Sequence, residues 1–280
     1  MRPGFVQCLS PAGFHRMAYV QWPARREGDA PPVICAHGLT RNGRDFDRLA
    51  QALSAERRVA CPDVVGRGRS DWLANADGYG YPQYCADMTA LIARLDTAQV
   101  DWVGTSMGGL IGMMLAAKPN TPIRRLVLND VGSLVPAASM RRIAGYVGKD
   151  PVFDDLAGLE TYLRVTHAAF GTIDDAAWRH LAEHGHRRSP DGKFRLAYDP
   201  TIAGAVNRAA AKDIDLSAIW AKVSCPVLVL RGAESDLLLA ETARQMSAKA
   251  EIVEIPAVGH APSLMVGGQI EIVRSWLARP

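Results

Sequence analysis

Residues 101–110 read DWVGTSMGGL, a serine with glycines two positions away on either side, directly after a strand-like run. A residue on a sharp strand-to-helix turn is forced into a strained backbone conformation, and side chains on its neighbours would collide with the adjoining strand and helix. Glycines at 104 and 108 remove that collision. The turn then holds the Ser106 hydroxyl at the carboxyl end of the strand, where the following helix directs backbone N–H groups and the positive end of its dipole. This is how an attacking alcohol is presented.

A hydroxyl attacks only when a base within hydrogen-bond reach takes its proton, and that base needs a third group to fix its tautomer. IPAVGHAP puts His260 in a loop after the last strand, where loops gather at the sheet edge that bears Ser106, so His260 is the expected base. Two acids stand at strand ends, Asp130 in LVLND and Asp236 in LVLRGAESD. Asp236 follows the strand nearest in sequence to the histidine loop and gives the chain order serine, acid, histidine, so it is the expected third member. Asp130 then marks the point where the chain leaves the sheet. The oxyanion needs preorganised donors, and two backbone N–H groups fit: that of Met107 and that of Leu39 in HGLT. His37, in the same stretch, is expected to brace that loop.

Those residues need a frame. Short apolar runs alternate with amphipathic segments, the pattern of a mostly parallel sheet covered by helices. FVQCLS and FHRMAYVQW read as a hairpin linked at Pro11 to Gly13; PPVICAHG, RVACPDVVG, VDWVG, RRLVLNDVG, CPVLVLRG and AEIVEIP follow as strands. Met88, Leu91, Ile92 and Leu95 fall at core-facing helical spacing. From Ser133 to Ala218 the alternation stops. That stretch reads as helices over 137–146, 158–169 and 174–186, an inserted lid. The domains expected are a core of 1–132 plus 219–280 and a lid of 133–218.

The bulk numbers agree with an enzyme acting on small molecules. The chain has 280 residues and a net charge of +3 spread along it, which suggests neither a nucleic-acid groove nor a membrane anchor. Five widely spaced cysteines read as reduced thiols. With no signal-like start and no apolar run of about 18 residues, a cytoplasmic monomer or homodimer is expected.

HGLT, DVVGRGRSD, GTSMGG, RGAESD and GHAP, in this order and spacing, resemble the α/β-hydrolase family. The resemblance implies an eight-stranded, mostly parallel sheet with helices on both faces, only the second strand antiparallel, and a helical cap inserted after the sixth core strand, over Ser106. It implies ester hydrolysis through an acyl-enzyme on Ser106, with no cofactor and a small or medium acyl substrate. Ala261 and Pro262 after His260, and one glycine in HGLT, depart from relatives that cleave carbon–carbon bonds in ring-cleavage diketones. Lactone and thioester cleavage use the same machinery, and a non-catalytic receptor would keep the fold without turnover.

Tyr162, Phe170, Trp178 and Leu237 are candidates to line the substrate pocket, with Arg195 and Tyr198 at its edge. His180, Glu183 and His184 spell H-x-x-E-H, a zinc spacing without an evident third protein ligand. Polar positions on an outer lid face explain it as well.

Overall fold

The computed structural model describes residues 1–26 and 28–279. β1 (Arg2–Ser10) and β2 (Gly13–Trp22) form an antiparallel hairpin that closes at Ser10 opposite Gly13. Then follow β3 (Val33–Ala36), α1 (Asp47–Leu53), β4 (Val59–Pro62), α2 (Tyr81–Arg94), β5 (Val100–Thr105), α3 (Met107–Ala116) and β6 (Ile123–Asn129). The insert carries β7 (Leu134–Val135), α4 (Ala137–Ala144), α5 (Leu156–Thr166), α6 (Asp175–His184), β8 (His186–Arg188), β9 (Phe194–Leu196), α7 (Ala203–Ala209), β10 (Ile214–Asp215) and α8 (Ser217–Trp220). β11 (Val227–Gly232), α9 (Ala240–Met246), β12 (Glu251–Ile255) and α10 (Gly267–Leu277) complete the chain.

The main sheet has eight strands in the order β1-β2-β4-β3-β5-β6-β11-β12, and β2 runs antiparallel to both of its neighbours. The other pairings are parallel. Successive side chains on a strand point to opposite faces, and the apolar runs use both. Ile34, Trp102, Leu126, Leu128 and Val229 pack in one core with residues of α2 and α3. Val33, Cys35, Val103, Val127, Leu228 and Leu230 pack in a second core with residues of α1 and α10. Burial on both faces explains why these strands read as continuous hydrophobic runs. Met88, Leu91, Ile92 and Leu95 are buried, as the helical spacing requires.

The insert adds no strand to the main sheet. Its ends meet where β7 pairs with β10, Val135 opposite Ile214. The three expected helices are present with shifted bounds: α4 and α6 are shorter than expected, while α5 begins two residues earlier and ends three residues earlier. The β8–β9 hairpin escaped the reading because its strands are three residues each, too short for period-2 alternation to register. The five cysteines form no disulfide; three are buried and two half-buried. Among the described residues no helix is long and apolar enough to cross a membrane.

Candidate active site

Ser106 sits between β5 and α3 at φ 51°, ψ −114°, a left-handed conformation costly to any residue with a side chain. The surroundings hold it there. A Cβ on Gly104 would lie 2.3 Å from the Gly108 carbonyl oxygen, and one on Gly108 would lie 2.0 Å from the Ala36 carbonyl oxygen. Only glycine lets α3 descend so close to β3 and β5. Buried Trp102 donates its indole N–H to the Gly108 carbonyl at 2.9 Å, and Ser106 N–H donates to Asn129 O at 2.9 Å. Strain at the turn is thus offset by hydrogen bonds and packing around it.

The Ser106 hydroxyl lies 3.0 Å from His260 Nε2, although 154 positions separate the two in the chain. On the other side of the imidazole, Nδ1 lies 2.7 Å from Asp130 Oδ2. Asp130 is fully buried. Its Oδ1 accepts from Gly232 N–H at 2.8 Å, and its Oδ2 also accepts from the Ser235 hydroxyl at 2.6 Å. A buried carboxylate with its oxygens engaged in this way is fixed in one orientation. With Nδ1–H donating to Asp130, Nε2 faces the serine as the acceptor.

This corrects the expectation for the acid, since Asp236 does not contact His260. Its carboxylate binds Arg142 of α4 at 2.6 and 2.8 Å, with about half its side chain exposed. The reason is positional. β11 ends at Gly232, so Asp236 lies well out along the following loop, whereas Asp130 follows the last residue of β6, the strand next to β5, which leads to Ser106. The Asp236 carboxyl lies below its ordinary range: burial pushes it up, and the Arg142 hydrogen bond and charge outweigh that.

Two loops meet at the serine. Met107 begins α3, so its N–H belongs to the first turn, where the helix offers no acceptor. Leu39 follows β3 in a loop locked from two sides. His37 bonds the Gly38 carbonyl through Nδ1 at 2.7 Å and accepts from Val64 N–H through Nε2 at 2.9 Å, which fixes its tautomer. Burial holds the His37 pKa down at about 4, so it is a neutral brace, as its place beside Leu39 suggested. Fully buried Arg67 donates to the Leu39 carbonyl at 2.8 Å and touches Met107 Sδ at 3.5 Å, tying both loops to one cation. Arg67 comes from DVVGRGRSD, and no feature of that run singled out this arginine.

Two cavities open on Ser106. The first, about 90 Å³, is the more polar of the two; Arg41, Arg142, Tyr146, Thr166, His167 and His260 stand around it beside apolar residues such as Phe46, Ile143 and Phe170. The second, about 320 Å³, is apolar, with Tyr84, Met107, Leu110, Val135, Met140 and Val206 in its wall. Of the four expected pocket residues, Phe170 lines the first and Leu237 the second. Tyr162 and Trp178 line neither: Tyr162 packs on Phe153 with ring centres 5.3 Å apart, and Trp178 stacks on Phe170 at 6.5 Å. Both sit behind the wall, on the inner faces of lid helices that pack against other lid segments. Arg195 is likewise turned away, bound to Asp150, and Tyr198 is buried with its hydroxyl accepting from Gly148 N–H.

His180 and His184 do stand together, ring centres 4.4 Å apart, with Asp47 of α1 beside them as a third donor that no sequence spacing could reveal. Glu183 is exposed and outside the group. The Asp47 carboxylate is engaged by Arg44, and His180 Nε2 lies 2.9 Å from the Arg44 carbonyl oxygen. The arrangement fastens α6 to the core.

A serine on a strand-to-helix turn, a histidine on the loop after the last strand and an acid on an intervening strand, all at one edge of an eight-stranded sheet, define a class. The family described as alpha/beta hydrolase fold matches residues 31–264, and the chain belongs to it. The chain is similar to a 3-hydroxybutyrate-oligomer hydrolase of Cupriavidus necator, 48% identical over 97% of this chain and 96% of the relative. It is more distantly similar to a 2-(acetamidomethylene)succinate hydrolase of Mesorhizobium japonicum, 28% identical over 84% of each chain. Among solved structures it resembles an alpha/beta hydrolase from Novosphingobium aromaticivorans, with a TM-score of 0.89, 33% identity and 99% of each chain covered.

Proposed function

We propose that the protein hydrolyses ester bonds of short hydroxyalkanoate oligomers, such as those of 3-hydroxybutyrate, through an acyl-enzyme on Ser106 with His260 as base and Asp130 as its partner. The observation that carries the reading is the unbroken chain of contacts from Ser106 Oγ to His260 Nε2 at 3.0 Å and from His260 Nδ1 to Asp130 at 2.7 Å. Ser106 attacks the ester carbonyl as His260 takes its proton. The N–H groups of Leu39 and Met107 receive the developing oxyanion, a contribution of about 3–4 kcal/mol per donor in enzymes of this kind. His260 then gives the proton to the departing alcohol, and a water activated by His260 releases the acid. The relative from Cupriavidus necator supports the oligomer as substrate, and the apolar cavity beside Ser106 suits a chain of methyl-branched units.

The test is turnover of 3-hydroxybutyrate dimer and trimer, and of p-nitrophenyl butyrate, by wild type and Ser106→Ala. The expected loss in kcat is about 10⁴-fold or more. Equal rates for the two proteins would remove Ser106 from the chemistry, and with it the reading.

A further inference from the structure

The two cavities at Ser106 differ in what they could hold, and His260 distinguishes them. In ester cleavage the histidine must reach the oxygen of the departing alcohol, so the alcohol half of the substrate occupies the cavity that His260 lines. That is the small polar one, and His260 is absent from the wall of the apolar one. Ser106 belongs to both walls, so an ester seated on it extends one half into each.

The polar cavity contains two guanidiniums. Arg41 is buried and bound in a fork by Asp45, the one carboxylate among the residues lining the cavity. Arg142 is bound by Asp236 through Nε and Nη2, but Asp236 lines neither cavity and is half exposed. An ion pair so open to water is weak, whereas a carboxylate brought into a partly desolvated cavity gains more from the same planar cation. Arg142 is therefore the cation placed to exchange its solvent-side partner for an anionic ligand group. His167, held neutral by burial with its pKa at about 3, adds no charge there.

In a hydroxyacid oligomer the terminal free carboxylate sits on the alcohol half of the last ester bond. We propose that the polar cavity binds this carboxylate-bearing half through Arg142, so that the protein cleaves the ester bond at the carboxylate end of the chain while the acyl half fills the apolar cavity. The inference rests on the ester-hydrolase reading above. As the tetrahedral intermediate collapses, the bond from carbonyl carbon to alcohol oxygen breaks and His260 protonates that oxygen. A free hydroxyacid leaves from the polar side, and the acyl chain stays on Ser106 until water attacks.

The experiment compares 3-hydroxybutyrate dimer as free acid, as its neutral primary carboxamide, and as free acid with the terminal hydroxyl acetylated. Wild type is expected to show kcat/KM at least about tenfold higher for the acid than for the carboxamide, most of it in KM, and to treat the acetylated acid within about threefold of the free one. In Arg142→Gln the acid-to-carboxamide ratio falls toward one. In Asp236→Asn, which removes the competing carboxylate, the ratio rises, and this arm stands even if Arg142→Gln does not fold. Equal turnover of acid and carboxamide by wild type, a ratio unchanged in Arg142→Gln, or a block by acetylation overturns the inference while leaving an ester hydrolase. If neither the dimers nor p-nitrophenyl butyrate is turned over, the ester-hydrolase reading itself fails.

Discussion

Asp130 and Asp236 are the same residue type, each a step or more beyond a sheet strand, yet their surroundings assign them different work. Asp130 is fully buried, with His260, Gly232 and Ser235 on its oxygens; Asp236 is half exposed on Arg142. Asp130→Asn is expected to cost about 10⁴-fold in kcat, because an amide can turn the imidazole to the wrong tautomer. Asp236→Asn should change kcat on p-nitrophenyl butyrate by less than about fivefold, and a larger effect of Asp236→Asn than of Asp130→Asn would return the acid role to Asp236. His37 gives a second prediction at this scale. Its pKa is about 4 in the fold against an ordinary 6.5. Because the folded value is depressed for a base, the unfolded chain binds a proton that the native state refuses as pH falls below 6.5. His37 therefore contributes full stability above that pH and loses it progressively toward pH 4. The stability difference between pH 7 and pH 4.5, measured by urea unfolding, should shrink by about 2–3 kcal/mol in His37→Gln.

At the scale of elements, the site depends on how closely α3 approaches β3 and β5. Gly108→Ala would put a methyl carbon 2.0 Å from the Ala36 carbonyl oxygen, against backbone that cannot swing aside as a side chain would. We expect a loss above about 4 kcal/mol or failure to fold, measured by thermal or urea unfolding of the purified variant. Gly268→Ala, at the start of α10 with open space around it, should stay within about 0.5 kcal/mol of wild type. The same close approach explains why GTSMGG was legible: a collision between backbones leaves only glycine as a solution, and that leaves a mark in one dimension. No such constraint acts on Arg67 or Arg142. An arginine that braces a loop or lines a cavity looks, in sequence, like any of its neighbours.

At the scale of the whole molecule, the insert is joined to the core by polar ties as well as by the wall of the apolar cavity. Arg48 of α1 grips Asp174 at the start of α6, Arg142 of α4 grips Asp236, and Asn42 donates to the His184 carbonyl. The two ion pairs are largely exposed and worth at most about 1 kcal/mol each. Arg48→Ala should therefore leave the midpoint of global unfolding nearly unchanged while hydrogen exchange rises in α6 and adjoining lid segments, measured by mass spectrometry. Faster exchange in the main sheet to the same extent would instead make lid and core one cooperative unit. Much of the architecture could be read from the chain, because strands buried on both faces leave apolar runs, helices leave a 3.6-residue period and the serine turn leaves its glycines. These are local requirements, each met within a dozen residues. The choice of Asp130 over Asp236, the side of the lid helices that faces the cavities, and the meeting of Asp47 with His180 depend on which strand ends and helix faces are brought together from distant parts of the chain. That was decided only by tertiary packing, since a carboxylate's partner is set by where its backbone points and how much water reaches it, and neither is written in the order of the residues.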